Sequence, residues 1–430
     1  MRHHDFAKTP PKGWNSWDCY GATVREEEVK GNADYMAENL KEHGWEYVVV
    51  DIQWSEAGAV SSAYRPFVPL EMDEYSRLVP AENRFPSAAG GKGFKPLADY
   101  VHDLGLKFGI HIMRGIPRQA VHQNTKIKGT DVGAREIAKP NSICAWNTDM
   151  YGLDHTKEEA QMYYDSIFEL YAEWEVDFIK VDDIADSQHY GAHLEEIKMI
   201  RKAIDRSGRP MVLSLSPGPA SLNDAALLEE NANMWRMTND FWDIWPLLHD
   251  MFDRCYRWSK NVGRGHWPDA DMLPLGRIGV RSVDGGASDR YTRFTQDEQI
   301  TMMTLWTIFR SPLMFGGEMR DNDEFTLSLL TNEGVNKVHR EGTGARQVDR
   351  YEDRVVWQSY GPDQEIYVAL FNIGDHEQTV SVDFEQLGID PSKISSITDL
   401  WEKETLPAVE QTISSKLRPH ACQLLKIEQN

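Results

Sequence analysis

Between two helical patterns the chain reads Phe178-Ile179-Lys180-Val181-Asp182-Asp183, an apolar run that gives way to carboxylates where a buried strand would end. Tyr163, Ile167, Leu170, Tyr171 and Trp174 precede it at three- and four-residue spacings, and Leu194, Ile197, Ile200 and Ile204 follow it with the same period. A short apolar strand between two amphipathic helices is the unit of a parallel α/β sheet, whose crossovers cover both faces. Ligands of such sheets sit at the carboxyl ends of the strands. Lys180 and Asp182 lie two residues apart, so the pleat turns both to one face, and a lysine aimed into a barrel mouth needs a carboxylate or a ligand beside it. A strand-end Asp can also simply cap the next helix; Lys180 tips the reading of Asp182 towards chemistry.

The same grammar recurs along the 430 residues. Residues 10–18 read as a short strand broken by polar residues, with Trp14 and Trp17 placed so that one packs beneath it and the other leans into a cleft. A helix follows over 26–43, with Val29, Ala33, Met36 and Leu40 on one stripe and Gly44 as its stop. Tyr47-Val48-Val49-Val50-Asp51 is a second buried strand ending in an acid. Residues 58–92 are weakly periodic and carry several prolines, so a long excursion over the carboxyl face is expected there. A helix over 94–104 returns to a strand over 107–112, where His111 has a core role and a ligand role equally open. Residues 114–147 are expected to form a second irregular loop.

Further strands are expected at 210–216, ending in Ser216, at 233–240, presenting Arg236 and Asp240, at 265–273, and, after an apolar helix over 298–309, at 311–315. Eight strands alternating with helices predict a (β/α)8 TIM barrel. From about Gly342 the period falls to two, in runs at 354–358, 366–372, 379–382 and 422–427 separated by turn residues, which predicts an antiparallel β-sandwich. The expected division is a barrel over residues 1–335 and a sandwich domain over 336–430, the latter without catalytic residues.

Charge and cysteine usage narrow the partners. The chain has 46 Lys plus Arg against 68 Asp plus Glu, a net charge of −22, which argues against nucleic acid and anionic membranes and favours an uncharged substrate. No segment approaches the roughly 18 apolar residues needed to span a bilayer, and the N-terminus lacks an apolar signal region, so a cytoplasmic location is expected. Cys19, Cys144, Cys255 and Cys422 show no C-x-x-C spacing and signal neither a disulfide framework nor a zinc site. His189 and His193 are four apart, but no Glu follows His189 as in H-E-x-x-H, so no metal and no other cofactor is expected. The assembly state is open, a homodimer among the options.

Five motifs in fixed order carry a resemblance: G-W-N-S-W at residues 13–17, V-D-x-x-W at 50–54, I-K-V-D at 179–182, W-R-x-x-x-D at 235–240 and G-H-W-P-D-A-D-M-L at 265–273. Together they resemble glycoside hydrolase family 27, the family of α-galactosidases and α-N-acetylgalactosaminidases, over the whole barrel and more loosely over the C-terminal module. The resemblance implies that Asp182 is the nucleophile and Asp240 the acid/base of a retaining mechanism, which needs two carboxyl groups about 5 to 5.5 Å apart. It implies sugar-holding positions for Trp17, Asp51, Lys180 and Arg236, and a site-lining one for Asp271. Trp54 of the second motif, His111 at a family tyrosine position and Ser216 complete the expected binding set. Lys180 is expected to keep Asp182 ionised while Asp240 retains a proton.

Three departures bear on substrate. Family galactosidases place two successive acids after the second strand, gripping the axial O4 and the O6 of galactose; here Asp51 is followed by Ile52. Ser216 stands where galactosidases have a Glu facing the 2-hydroxyl and N-acetylgalactosaminidases a Ser. Cys144 has no partner cysteine near the nucleophile, where Ile184 stands, so the familiar active-site disulfide is absent. The expected activity is that of a retaining exo-α-glycosidase releasing terminal galactose or N-acetylgalactosamine from an α-linked oligosaccharide or glycoside. An α-glucan hydrolase of the same fold, releasing glucose or isomaltose, and a non-catalytic sugar-binding barrel are the alternatives.

Overall fold

Eight short strands, β1 Lys12–Asn15, β2 Tyr47–Val50, β3 Lys107–Met113, β4 Phe178–Asp182, β5 Val212–Leu215, β6 Met234–Arg236, β7 Trp267–Asp269 and β8 Leu313–Phe315, form one parallel sheet in the order β7-β6-β5-β4-β3-β2-β1-β8. The structure is a computed structural model that describes residues 2–61, 63–283, 287–407 and 411–430. The two ends of the strand series meet just past β7. There the Leu273 N–H donates to the Met314 carbonyl at 2.8 Å, and the Leu273 carbonyl accepts from the Gly316 N–H at 3.0 Å. This closes the (β/α)8 barrel. Six of the strands are buried at every residue, which is why they read as unbroken apolar runs rather than as alternations.

The helix expected over 26–43 ends at Asn39; a 3₁₀ turn, Lys41–His43, then carries the chain to Gly44 at φ 86. The excursion over 58–92 is anchored by the buried Arg84, whose guanidinium donates to the carbonyls of Ala22, Val24, Gln53 and Glu56. The irregular loop expected over 114–147 is corrected by the structure: Ile116–Pro117 and Ala138–Ile143 flank Met150–Leu153 in a small antiparallel sheet. Lys139, Pro140 and Asn141 of Ala138–Ile143 are exposed and Ser142 is buried, so no apolar alternation marked it as a strand.

Helix Glu333–Glu341 runs across residues 335 and 336, and the sandwich begins with strand Thr343–Tyr351. A six-stranded antiparallel sheet and the two-stranded pair Gln378–Asp383 and Thr412–Leu417 make up this domain. Strand Ile366–Asn372 is buried throughout because its two faces serve two cores. Val368 and Leu370 meet Val380 and Val382 of the smaller sheet, while Ala369 and Phe371 join the core shared with the barrel. Helix Gln296–Phe309, started by a Thr295/Glu298 capping box, lies in that shared core. Trp306 Nε1 donates to the Asp271 carbonyl, Trp401 Nε1 donates to Thr304 Oγ1, and Thr301 Oγ1 donates to the His420 carbonyl. Being sandwiched in this way, the helix shows no polar face.

Candidate active site

A cleft of about 880 Å³ opens at the carboxyl ends of the strands, lined among others by Trp17, Asp51, Lys180, Asp182, Arg236, Asp240 and Asp271. Its floor is a charge chain. Asp51, one residue past β2, accepts from Asn15 Nδ2 at 2.8 Å and from Lys180 Nζ at 2.9 Å through Oδ2, and from the Ile52 N–H at 2.8 Å through Oδ1. Burial alone would push the Asp51 carboxyl up; the Lys180 ammonium, with His111 and these hydrogen bonds, outweighs it and holds the group below the usual carboxylate range. Lys180 in turn is held charged, since Asp51 and Asp182 more than offset its burial.

Asp182 ends β4 and receives two donors. His111 Nε2 lies 3.0 Å from Oδ2, and the Asp183 N–H donates to Oδ1 at 2.8 Å. Burial raises this carboxyl, but His111, Lys180 and the Asp183 N–H together bring it below its ordinary value, so it is ionised at neutral pH. Because a carboxylate only accepts, His111 Nε2 carries the proton. Asp183 itself is turned away from the cleft. It occupies the left-handed region at φ 56, and the fully buried Arg114 grips it, with Nε donating to its carbonyl at 2.6 Å and Nη2 2.9 Å from its carboxylate. Arg114 also pairs with Glu196 at 3.1 Å, whose other oxygen accepts from Tyr164 at 2.6 Å. That buried cluster fixes the backbone N–H that faces Asp182.

On the far side of the cleft, Arg236 at the end of β6 reaches Asp240 Oδ1 and Asp271 Oδ2, each at 2.8 Å. One guanidinium thus serves two acids. Asp271 is buried and Asp240 is 57% exposed; burial, with repulsion from Asp240 and Asp269, pushes Asp271 up to about 7 against the pull of Arg236. The Phe241 N–H also donates to Asp271 at 2.7 Å. The aromatic wall is Trp17, whose ring lies nearly parallel to Tyr64 (centroids 6.4 Å, planes 10° apart), with Trp146 at 5.4 Å from Tyr64. Flat rings above paired carboxylates suit an uncharged ring with one apolar face.

The structure therefore brings Trp17, Asp51, Lys180, Asp182, Arg236, Asp240 and Asp271 to one cleft and leaves three expected binding residues outside it. Trp54 is in the core: its indole packs on Phe94 and Trp174, and its Nε1 donates to the His111 carbonyl at 2.6 Å. His111 is 1% exposed and acts on Asp182 rather than on a ligand. Ser216 is also 1% exposed, its hydroxyl facing the Val181 carbonyl beneath the cleft, and the wall there is Pro217, Gly218 and Pro219 instead. Asp18, Ile52, Tyr64 and Trp146 line the cleft without having been singled out as binding residues. Asp18 reads as an ordinary helix-start acid; Tyr64 and Trp146 lie in segments read as loops.

Among the described residues one cluster has metal-ligand spacing, Asp99, His102 and Glu175. It lies outside the cleft, and Lys95 pairs with both of its acids. The described cysteines are all free thiols.

Two family models match the chain: alpha galactosidase A over residues 9–162 and 155–341, and the alpha galactosidase C-terminal beta sandwich domain over 351–427. Alpha-galactosidase 2 of Arabidopsis thaliana is 26% identical over 427 residues, covering 99% of this chain and 90% of its own. Among solved structures, a GH27 β-L-arabinopyranosidase from Geobacillus stearothermophilus is 70% identical, with 99% of this chain and 98% of that chain covered and a TM-score of 0.98. A protein of Bacillus halodurans C-125, provisionally described as an α-N-acetylgalactosaminidase, is 58% identical over 98% of this chain and 97% of its own, with a TM-score of 0.88.

Proposed function

The chain belongs to glycoside hydrolase family 27, the family of the α-galactosidases, and from that premise we propose that it is a retaining exo-glycosidase releasing terminal β-L-arabinopyranose. Asp182 attacks the anomeric carbon while Asp240 gives its proton to the departing glycosidic oxygen. Asp240, now a base, then takes a proton from the water that cleaves the glycosyl–Asp182 ester. Lys180 and Asp51 on one side and Arg236 and Asp271 on the other supply donors and acceptors for ring hydroxyls, with the Trp17 indole against the apolar ring face.

Ile52 carries the choice of sugar. β-L-Arabinopyranose has the ring stereochemistry of α-D-galactopyranose with hydrogen in place of the C5 hydroxymethyl group. Ile52 lines the cleft next to Asp51 and belongs to an apolar cluster with Ala22, Met113, Cys144 and Met150. A galactose 6-hydroxyl placed there would lose its water and gain no partner, at about 1–3 kcal/mol. The arabinopyranosidase neighbour, 70% identical, supports the same sugar. Release of α-D-galactose is the second reading, supported by the plant relatives. N-Acetylgalactosamine keeps the support of the Bacillus neighbour but loses that of Ser216, which lies below the cleft.

The test is the ratio of kcat/KM for an aryl β-L-arabinopyranoside over the matching α-D-galactoside. It is expected to favour arabinopyranoside in the wild type and to fall on the order of 10- to 100-fold in Ile52→Asp, which offers the 6-hydroxyl an acceptor. A wild-type ratio favouring galactoside, or one that Ile52→Asp leaves unmoved, would refute the assignment.

The hold on Asp182 makes a second prediction. Activity needs this carboxylate ionised, so it falls as pH drops through its pKa. His111→Phe removes a donor and leaves the burial that raises the group. The acid limb of kcat/KM, measured on an activated aryl glycoside, is expected to move to higher pH. An unmoved limb would mean that His111 does not act on the nucleophile.

A further inference from the structure

Asp18 is the second residue of the short helix Trp17–Tyr20 behind β1, is 3% exposed, and lines the cleft. Four other cleft acids are supplied: Asp51 has Lys180 and Asn15, Asp182 has His111, and Asp240 and Asp271 share Arg236. No hydrogen bond or ion pair among the described residues reaches the Asp18 carboxyl, and its Oδ2 is fully buried and unpartnered. The fold nevertheless keeps room for it. A Cβ on Gly316, the residue after β8, would stand 2.0 Å from Asp18 Oδ2, 2.6 Å from its Cγ and 2.8 Å from its Cβ. Gly316 is not in the positive-φ region, so the glycine serves that space and not a turn.

An ionised carboxylate in this place would be buried without a donor and would face Asp271, Asp240 and Asp51, with Lys180 the single opposing charge among the groups that act on it most. Burial first, then those acids, push the group well above the carboxylate range. A neutral carboxyl is both a donor and an acceptor, and such a group in the lining of a cleft can meet a hydroxyl. Its position says which. Asp18 follows β1 and meets Gly316 just past β8, and in the strand order β7 and β6, leading to Asp271 and Arg236, lie to one side and β2 and β4, leading to Asp51 and bearing Lys180, to the other.

We propose that Asp18 is a specificity-determining residue of the sugar site, whose carboxyl hydrogen-bonds the ring hydroxyl lying between those held by Arg236–Asp271 and by Lys180–Asp51. The inference rests on the glycosidase reading of the cleft. Asp18→Ala is expected to lower kcat/KM on the order of 10- to 100-fold. Asp18→Asn, whose amide can also donate, is expected to recover all but a few-fold of that loss. Among the 2-, 3- and 4-deoxy forms of the substrate, one should lose on the wild type what Asp18→Ala lost on the parent, and lose nothing more on the variant.

Equal Asp18→Ala losses across all deoxy forms, or an Asn variant as damaged as the Ala variant, would each overturn the proposal. Wild-type turnover of the parent glycoside reports on the glycosidase reading by itself. Should there be none, calorimetric titration of the wild type and both Asp18 variants with free L-arabinose decides on Asp18: the same ranking supports the proposal, and equal or absent binding overturns it.

Discussion

Asp182→Ala is expected to lower kcat on the order of 10⁶-fold, the scale seen when the attacking group of a hydrolase is removed. Sodium azide should restore part of the activity on a substrate with a good leaving group. The reason is geometric. Truncation empties the space from which the carboxylate attacks, and a small anion can enter there, still facing Lys180 and the His111 N–H that hold Asp182 ionised. Azide attacking from that side gives a glycosyl azide of inverted configuration, readable by NMR. Near-normal turnover by the variant would mean the wrong carboxylate had been named. Asp183 is a poor substitute, because its carboxylate is turned into the buried Arg114–Glu196 cluster.

The relation between Lys180 and Asp182 was legible because both lie on one strand, where a spacing of two fixes a common face. The relation between His111 and Asp182 was not. It depends on the register of β3 against β4, in which His111 stands opposite Lys180 and Met113 opposite Asp182, and neither strand's sequence contains that register. Trp54 misled for a local reason: β2 stops at Val50 and the chain reverses at Gln53, φ 68, so strand alternation cannot be carried to residue 54. Ser216 misled in the same way, since β5 ends at Leu215.

The barrel itself was readable because its strands are buried on both faces and its helices on one, the two conditions under which period and burial agree. Ala138–Ile143 meets neither condition, and with it Arg114 was lost among apparent loop residues. Asp18 was hidden differently. An acid at a helix start has an ordinary explanation, and only its depth, its missing partner and the glycine opposite it remove that explanation.

Removing Asp240 separates the two steps of the reaction. Its side chain is 57% exposed, and Arg236 keeps Asp271 as a partner when it is gone, so Asp240→Ala strands no buried charge and the fold is expected to hold. The loss should instead follow the leaving group. General acid assistance is worth on the order of 10² to 10⁴ in rate, and a leaving group such as dinitrophenolate departs without it. Substrates with poor leaving groups should therefore lose that factor relative to the activated glycoside, on which glycosylation of Asp182 still proceeds. Hydrolysis of the glycosyl ester then lacks its base, and azide, which needs none, should accelerate turnover. It attacks the intermediate from the face opposite Asp182, so the glycosyl azide has the configuration of the substrate, the opposite of that from Asp182→Ala. Equal losses on good and poor leaving groups would remove Asp240 from the acid/base role. The same azide anomer from both variants would show that the two carboxylates do not stand on opposite faces of the sugar.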